Sequence, residues 1–464
     1  MDMASDTAPG MPGAMSAPPG ATPDGAMRGL VVSLFFTWGF VTVLNDPLIA
    51  KLKSLFALNY AEAMLAQFAF FIGYFIVSAP AGAAVGRFGY VRSIALGLGI
   101  MAAGLLLFAP AARLALYPVF LLALFCVAAG ITILQVAANP YIAALGPPAT
   151  SHSRLTLAQA FNALGTFIGP FVGALFILQH GVAVPASPSP ALLAAARIQA
   201  ARSVQFPFLI IAGALLLFTL VFWALRNRPG PASAASSPNP FRRTLLRRPR
   251  LIFGVACIFT YVGAEVSIGS GLTNYLMQPG IIGARAVPIG AGFAGFLHRV
   301  SGATPHFNIA QVAGAMVSLY WGSAMLGRFA GSYTLRRFAP GKVLCLHALA
   351  AAALAFGASR AGGPGAAAAV LAIGLANSIM FPTIFTLALE DLGAETANGS
   401  ALLCMAIVGG AIIPVIYGAT ADAIGLGHAL LVPGCCYLVI ASYGWLAARG
   451  LGLNFSATQP APQP

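Results

Sequence analysis

Apolar runs long enough to cross a lipid bilayer repeat along this sequence from residue 28 to residue 449. A membrane-spanning helix needs about 20 predominantly apolar residues, and many of the runs reach that length. Charged residues make up only 7% of the chain, whereas a soluble domain carries about a quarter. A large soluble protein would lack the polar surface to cover such a core. The sequence therefore predicts an all-α membrane protein.

Glycine, proline and charged residues divide the apolar runs into twelve predicted transmembrane helices. The fourth and seventh are longer than a straight crossing needs, so we expect them to tilt or to protrude. The twelve runs lie near 28–50, 62–85, 92–110, 115–144, 153–178, 204–225, 250–278, 308–335, 342–361, 364–389, 397–422 and 428–449.

A polar segment at 226–250, rich in proline and serine and then in arginine, divides the chain into two halves. The predicted domains are an N-terminal six-helix lobe at 28–225 and a C-terminal six-helix lobe at 251–449, with flexible tails at 1–27 and 450–464. Lys and Arg concentrate in cytoplasmic loops. If both termini are cytoplasmic, 16 of the 24 basic residues fall on that side. We therefore predict cytoplasmic tails and a basic cytoplasmic linker.

Two short patterns recur in both halves at equivalent helices. Two glycines and an arginine recur at identical spacing from the second helix towards the third in each half, and a glycine stands five residues before a proline in the fifth. Internal duplication around a basic linker is typical of two-lobed secondary transporters. The matching residues are Gly73, Gly82, Arg87, Gly165 and Pro170 in the first half, and Gly322, Gly331, Arg336, Gly409 and Pro414 in the second.

The arginines near these patterns are predicted to act in gating. Arg87, Arg328 and Arg336 are assigned to cytoplasmic loops, where they pair with helix ends and stabilise one state of the transporter. We do not expect them to contact substrate.

Asp46 is one of two acidic residues well inside the apolar runs. A carboxylate at membrane depth is costly unless it is protonated or faces a partner or a cavity, so it is a functional candidate. Phe35, Trp38 and Thr42 lie on the same side of the predicted helix. Aromatic rings, a hydroxyl and a carboxylate around one cavity suit a sugar. The alternative is a structural carboxylate that caps a neighbouring helix.

Glu265 is the other deeply placed carboxylate, with Tyr261 one helical turn before it. Glu265 is therefore predicted to bind substrate. Gly269 and Gly271 follow and could loosen the helix, so Asn274 is included as a further substrate-binding candidate without an assigned face. The alternative for Glu265 is a structural pair with an arginine elsewhere. The remaining acidic residues are interpreted as tail charges or as charges at helix ends.

Amide side chains form short stripes on the fourth and fifth predicted helices. Gln135 and Asn139 are one turn apart, and Gln159 and Asn162 are three residues apart. Amides both donate and accept hydrogen bonds, as a hydroxyl-rich ligand requires. The alternative is hydrogen bonding between helices, which is common in membrane bundles.

Enzymes and nucleic-acid binding proteins are disfavoured by the same sequence. It contains no HExxH, GxSxG or P-loop motif, and its basic residues lie at the ends of apolar runs. The six cysteines lie within apolar runs without a CxxC pair, so we expect no metal and no cofactor.

Several longer stretches resemble the fucose–galactose–glucose:proton symporter family of the major facilitator superfamily. They span both halves of the chain and occur in the same order. The stretches are "LND" (44–46), "FFIGYFIVSAPAG" (70–82), "LQVAANPYIAALG" (134–146), "RLTLAQAFNALG" (154–165), "YVGAEVSIGS" (261–270), "MFPTIFTLALEDLG" (380–393) and "LLCMAIVGGAIIP" (402–414).

The resemblance implies twelve helices in two lobes and monosaccharide uptake by alternating access, driven by H⁺ or Na⁺. Asp46 matches the coupling aspartate of the fucose permeases, whereas Gln135 stands where they have a second carboxylate. That departure makes the chain similar to the glucose/galactose permease branch. The amide-bearing fifth helix of the family corresponds to Gln159 and Asn162. Trp321 is added to Phe35 and Trp38 as a stacking candidate.

The sequence thus predicts a monomeric hexose importer in a bacterial inner membrane, surrounded by lipid. An L-fucose or amino-sugar symporter of the same family is one alternative. A drug-efflux pump of the same fold would prefer an aromatic, methionine-rich cavity to stacked amides. A membrane sensor would bind sugar without transporting it.

Overall fold

The structure is a computed structural model that describes residues 25–44, 60–114, 116–173, 208–227, 241–281 and 309–450. All regular structure in these ranges is helical, and twelve helices occupy the predicted positions. They are α1 Gly25–Val43, α2 Tyr60–Phe88, α3 Tyr90–Leu106, α4 Tyr117–Ala144, α5 Ser151–Gly173, α6 Phe208–Ala224, α7 Pro249–Leu276, α8 Ile309–Arg337, α9 Pro340–Arg360, α10 Gly363–Asn377 continued by Met380–Leu389, α11 Thr396–Met405 continued by Gly409–Ile424, and α12 Leu431–Arg449.

Nine helices in the described part of the chain are long and apolar enough to cross a membrane. The first helix begins at Gly25 and ends at Val43, earlier than the predicted run of 28–50. Asn45 and Asp46 lie outside the described residues. Short helices at Phe108–Leu114, Arg243–Leu246 and Leu426–Ala429 extend or precede the long ones.

The helices that precede the 226–250 segment in the sequence pack into one lobe, and those that follow it pack into a second. In the N-terminal lobe, α4 packs against α2 and α3, and α5 packs against α1. In the C-terminal lobe, α7 packs against α11 and α12, and α9 packs against α10 and α12. The pairing of α1 with α5 is the counterpart of the pairing of α7 with α11, which gives the internal duplication in the sequence a structural equivalent.

The repeated glycines lie where these equivalent helix pairs cross. A Cβ atom on Gly165 of α5 would collide with the carbonyl oxygen of Phe36 in α1. A Cβ atom on Gly409 of α11 would collide in the same way with the carbonyl oxygen of Phe259 in α7. Small residues let helix backbones approach closely, which is a main source of packing energy within lipid. The two glycines therefore hold equivalent crossings in the two lobes.

Two pairs of helices make the largest contacts between the lobes. They are α5 with α8 and α2 with α11, which are equivalent under the internal repeat. Ser153 Oγ at the start of α5 donates a hydrogen bond to the Ser332 carbonyl oxygen of α8 at 2.6 Å. Arg336 Nε donates to Ser153 Oγ at 3.0 Å. The lobes are therefore closed against each other at this end of the bundle.

This end, which we call the basic end, carries the arginine-rich connections between helices. Arg92 in the first turn of α3 donates a hydrogen bond to Asn227 Oδ1, just after α6, at 3.1 Å. Arg242 of the 226–250 segment forms an ion pair with Glu395 at the start of α11, at 2.5 Å. Both lobes thus present their basic loops on one side of the bundle, as the sequence predicts.

Two prolines release backbone carbonyls that receive polar side chains. Proline lacks the N–H that would bond to the carbonyl four residues earlier. Pro140 releases the Val136 oxygen of α4, which accepts from Ser400 Oγ of α11 at 2.9 Å. Pro382 releases the Ser378 oxygen of α10, which accepts from Arg328 Nε of α8 at 3.1 Å. The first of these bonds joins the two lobes.

Candidate substrate-binding site and lobe interface

The amides of α4 and α5 form one polar group inside the N-terminal lobe. Gln159 Nε2 donates to Asn139 Oδ1 at 3.3 Å, and both residues are buried. Gln135 Nε2 donates to the hydroxyl of Tyr74 in α2 at 3.0 Å. Asn139 Nδ2 is buried and has no hydrogen-bond partner among the described residues. A buried donor without a partner is costly, so this atom is available to a ligand oxygen.

Asn162 has a different contact from the other amides. Its Nδ2 donates to the Phe35 carbonyl oxygen of α1 at 3.0 Å. Gly39 of α1 lies against the same asparagine, where a Cβ atom would collide with it. In this conformation Asn162 therefore joins α5 to α1, which is the alternative that the sequence left open for the amides.

The predicted aromatic candidates of α1 are buried together. The Phe35 and Trp38 rings lie 4.1 Å apart between centroids, and both side chains are closed to solvent. Thr42 Oγ1 donates to the Trp38 carbonyl oxygen at 2.8 Å. Their contact with sugar remains a prediction.

Glu265 lies in a second polar group, in the C-terminal lobe. The Tyr261 hydroxyl donates to Glu265 Oε1 at 2.8 Å. Arg328 Nη2 of α8 lies 3.7 Å from the same oxygen, and only 14% of the Glu265 side chain is exposed. Asn377 of α10 donates to the Tyr320 hydroxyl at 2.8 Å beside this pair. The observed geometry matches the alternative that paired Glu265 with an arginine.

Arg328 joins the two polar groups. Its Nη1 donates to the Gln159 carbonyl oxygen of α5 at 3.2 Å, while Nη2 faces Glu265. The assignment of Arg328 to a cytoplasmic loop is wrong: its side chain is buried within α8, well before that helix ends at Arg337. The other two arginines are exposed, with Arg87 against the Phe88 ring and Arg336 bonded to Ser153.

Asn274 is not part of either polar group. The helix α7 continues through Gly269 and Gly271 to Leu276, so the expected loosening does not occur. Nine residues on a helix of 3.6 residues per turn place Asn274 on the side opposite Glu265, and its side chain is exposed. Trp321 is half-buried against Gly269, where a Cβ atom would lie 2.9 Å from its ring.

A third group of polar side chains closes the basic end. His152 of α5 lies 2.5 Å from Thr386 Oγ1 and 3.0 Å from Glu390 Oε1 of the other lobe. Arg250 at the start of α7 also pairs with Glu390. Burial alone raises the pKa of the Glu390 carboxyl, but the His152 hydrogen bond and the Arg250 charge outweigh it and hold that pKa below its ordinary value. The carboxylate is therefore ionised at neutral pH.

Comparison with known proteins decides the family. The sequence profile of the Major Facilitator Superfamily matches residues 29–414. The chain belongs to this superfamily. A glucose/galactose transporter of Brucella abortus is 45% identical over 416 residues, which cover 90% of this chain and 92% of the relative. An L-fucose-proton symporter of Escherichia coli is 35% identical over 89% of this chain and 90% of its own length.

Solved structures agree with this family. A crystal structure of a major facilitator superfamily transporter in the outward conformation has a TM-score of 0.77 and 32% identity, covering 91% of this chain and 98% of the other. The predicted fold, two six-helix lobes of a major facilitator transporter, is confirmed. Membership of the fucose–galactose–glucose family is confirmed by the same relatives, and the chain is a multi-pass membrane transporter and not an enzyme.

Several residues of the interface were missed by reasoning from the sequence. Tyr74, Tyr320 and Asn377 lie within apolar runs without a charge to mark them. His152 and Glu390 stand at helix ends and resemble ordinary loop residues. Pro382 was the signal in the sequence that could have indicated this contact. A proline inside a predicted helix leaves the carbonyl four residues earlier without its helical partner, so a side chain from elsewhere is expected to bond to it.

Proposed function

We propose that this superfamily member imports a hexose, glucose or galactose, together with a cation. The observation that carries the proposal is the amide pair of Asn139 and Gln159 inside the N-terminal lobe, which leaves a buried donor for a ligand oxygen. Amides that donate and accept match sugar hydroxyls. The relatives from Brucella abortus and Escherichia coli are named for glucose/galactose and L-fucose, which supports a monosaccharide.

Alternating access follows from the closed basic end. Sugar enters between the lobes from the opposite end while the contacts of Ser153, Arg336 and His152 stay formed. Those contacts then break and release sugar on the side of the basic loops. Basic loops face the cytoplasm, so we place both termini there, in a bacterial inner membrane, and we expect a monomer in lipid.

Coupling is assigned to Asp46, with H⁺ or Na⁺ as the driving cation. This assignment rests on the resemblance of the "LND" stretch, and the residue lies outside the described part of the structure. An L-fucose or amino-sugar symporter remains the alternative substrate class, and a drug pump is disfavoured by the amide-lined interface.

Sugar exchange by the purified protein in proteoliposomes tests the importer. We expect counterflow of labelled galactose or glucose, and we expect Gln159→Ala to weaken it at least about tenfold because a hydroxyl partner is lost. Asn274→Ala, on the opposite face of α7, is the control and should exchange as the unaltered protein does. Absence of exchange for every hexose tested, with and without sodium, would contradict the proposal.

Asp46→Asn tests the coupling assignment. The change removes the ionisable group but keeps the side-chain shape. We expect counterflow to persist while uptake against a sugar gradient falls to background, because exchange moves no net cation. Uptake driven by a pH gradient without sodium would identify H⁺. Full concentrative uptake by Asp46→Asn would remove Asp46 from the coupling step.

A further inference from the structure

We propose that Glu265 is a second coupling group, which binds H⁺ when the basic end is closed and thereby releases Arg328 from its contact between the lobes. The proposal rests on the proposed function, since a coupling proton has a role only in a transporter that moves its substrate against a gradient. It assigns to the C-terminal lobe a proton site that works together with the lobe interface.

The carboxylate of Glu265 is placed to exchange a proton. It lies about midway along α7 and is mostly buried, yet 14% of its side chain remains exposed. Both its hydrogen bond from Tyr261 and its ion pair with Arg328 involve Oε1. Within the ranges that the structure describes, no hydrogen bond reaches Oε2. That oxygen can therefore take a proton without breaking the bond from Tyr261.

The contact with Arg328 depends on charge. The separation of 3.7 Å between Nη2 and Oε1 is longer than a hydrogen bond, so attraction between the two charges holds the pair. The arginine is itself buried, and an unpaired buried charge is costly. Neutralising Glu265 leaves that cost uncompensated.

Arg328 transmits the change to the other lobe. Arg328 also donates hydrogen bonds to two backbone oxygens: Ser378 O in its own lobe and Gln159 O in α5 of the N-terminal lobe. The Ser378 oxygen is the one that Pro382 releases. The Gln159 bond lies on the α5–α8 pair, which is one of the two main contacts between the lobes. When the ion pair with Glu265 is lost, the buried charge of Arg328 is destabilised in this position. Arg328 then moves away from Gln159, and the α5–α8 contact weakens.

The surroundings of Glu265 contain no competing carboxylate among the described residues. Arg328 is the charged group that faces it, from α8. The titratable groups are the hydroxyls of Tyr261 on α7, Tyr320 on α8 and Tyr437 on α12. The residue of α5 that approaches the pair, Gln159, is uncharged. Protonation that changes the charge of this site is therefore protonation of the Glu265 carboxylate.

The step balances without a co-reactant. A hydronium ion on the sugar-entry side transfers its proton to the Glu265 carboxylate and leaves as water, and the ion pair with Arg328 is lost. The lobes part at the basic end, where the proton leaves to water on that side and the pair forms again. Sugar and proton thus leave from the same state, and neither oxidation nor bond cleavage is involved.

A cysteine reporter at the closed interface tests the proposal without sugar. Ser153 is fully buried at the α5–α8 contact. In the Ser153→Cys protein, alkylation by a membrane-impermeant maleimide requires the basic end to open. The rate is read by mass spectrometry of the peptide that carries residue 153. It is normalised to the unfolded protein at each pH, because the thiolate fraction changes with pH.

We expect the normalised rate to rise as the pH falls in the Ser153→Cys protein. Adding Glu265→Gln should make it about tenfold faster and nearly independent of pH, within the usual range of coupling between sites. Asp422→Asn, which neutralises an exposed carboxylate on α11, is the control and should change nothing. If Glu265→Gln yields no folded protein, Glu265→Asp tests the proposal instead. It keeps a carboxylate, so its alkylation rate must still rise as the pH falls. Equal rates with and without Glu265→Gln, or loss of the response in Glu265→Asp, would overturn the proposal.

Transport measurements separate this proposal from the importer itself. Glu265→Gln should retain counterflow of hexose and lose uptake driven by a pH gradient. If the unaltered protein exchanges no hexose, the importer fails while the alkylation result still stands. If exchange occurs and Glu265→Gln keeps full uptake driven by the pH gradient, the importer stands and the second proton site fails.

Discussion

Arg328→Met is expected to lower the free energy of unfolding by about 3–5 kcal/mol and to reduce hexose exchange to background. The change leaves the Glu265 carboxylate buried without its cation. It also removes the bonds to Gln159 O and Ser378 O, so the lobes lose a contact on the α5–α8 pair. Unfolding of the detergent-purified protein gives the stability, and counterflow gives the exchange.

The double variant Arg328→Met with Glu265→Gln identifies the cause. Removing both charges of a buried pair is far less costly than removing one. We therefore expect the double variant to regain most of the stability lost in Arg328→Met. Arg360→Met, on an exposed arginine at the end of α9, is the matched control and should unfold as the unaltered protein does. A double variant as unstable as the single one would show that packing, and not charge, dominates at this site.

Gly165→Ala is expected to destabilise the protein by about 3 kcal/mol or more, at the upper end for an overpacked core. The added methyl group collides with backbone atoms of α1, which cannot turn away as a side chain can. The separation of α1 from α5 should also break the bond from Asn162 to Phe35 and displace Gln159 on the same helix. Thermal unfolding and counterflow measure the two effects.

Two further glycines make this prediction specific to the crossing. Gly409→Ala should be comparably harmful, because it places a methyl group at the equivalent crossing of α7 and α11. Gly213→Ala in α6 meets no atom within 4 Å. It should raise stability by about 0.5–1 kcal/mol, because alanine loses less backbone freedom in a helix than glycine. Similar losses for all three substitutions would mean that close approach at the crossings is unimportant.

Prolines within the helices of this transporter leave carbonyl oxygens unpaired, and side chains of neighbouring helices bond to them. Ser378 O lacks its helical partner because Pro382 has no N–H, and Arg328 supplies one. Val136 O lacks its partner because of Pro140, and Ser400 of the other lobe supplies one. Within lipid every backbone polar group needs a partner. Breaks in helix bonding therefore become places where neighbouring helices, and the two lobes, attach to each other.

The fold could be predicted from the sequence because its causes are local. The length of each apolar run determines whether a helix crosses the membrane, and the basic residues between runs mark one side of it. The 226–250 segment separates the lobes, and the spacing of glycines such as Gly165 and Gly409 reveals the duplication. Burial of Gln135, Asn139 and Gln159 also follows from runs that are apolar on every side.

The candidate site was predicted only in part, since its contacts join distant segments. Gln159 and Asn139 contact each other across α5 and α4, which the stripes in the sequence did not specify, and Glu265 lies inside the bundle. Asn274 is on the opposite face of α7, because the helix continues through two glycines that could have interrupted it. Asn162 is bonded to α1 and not left open to a cavity, which follows from the close α1–α5 crossing.

The sequence by itself determined the number and order of the helices, and it showed that a carboxylate at Glu265 needs a partner. Only the tertiary structure decided that the partner is Arg328. The sequence places this arginine near a basic helix end, where a loop position was the natural assignment. The packing of α8 against both α7 and α5 turns it inward, to Glu265 on one side and to Gln159 of the other lobe on the other. Which partner Glu265 finds depends on how whole helices pack against one another. That packing is determined jointly by residues that are far apart in the sequence.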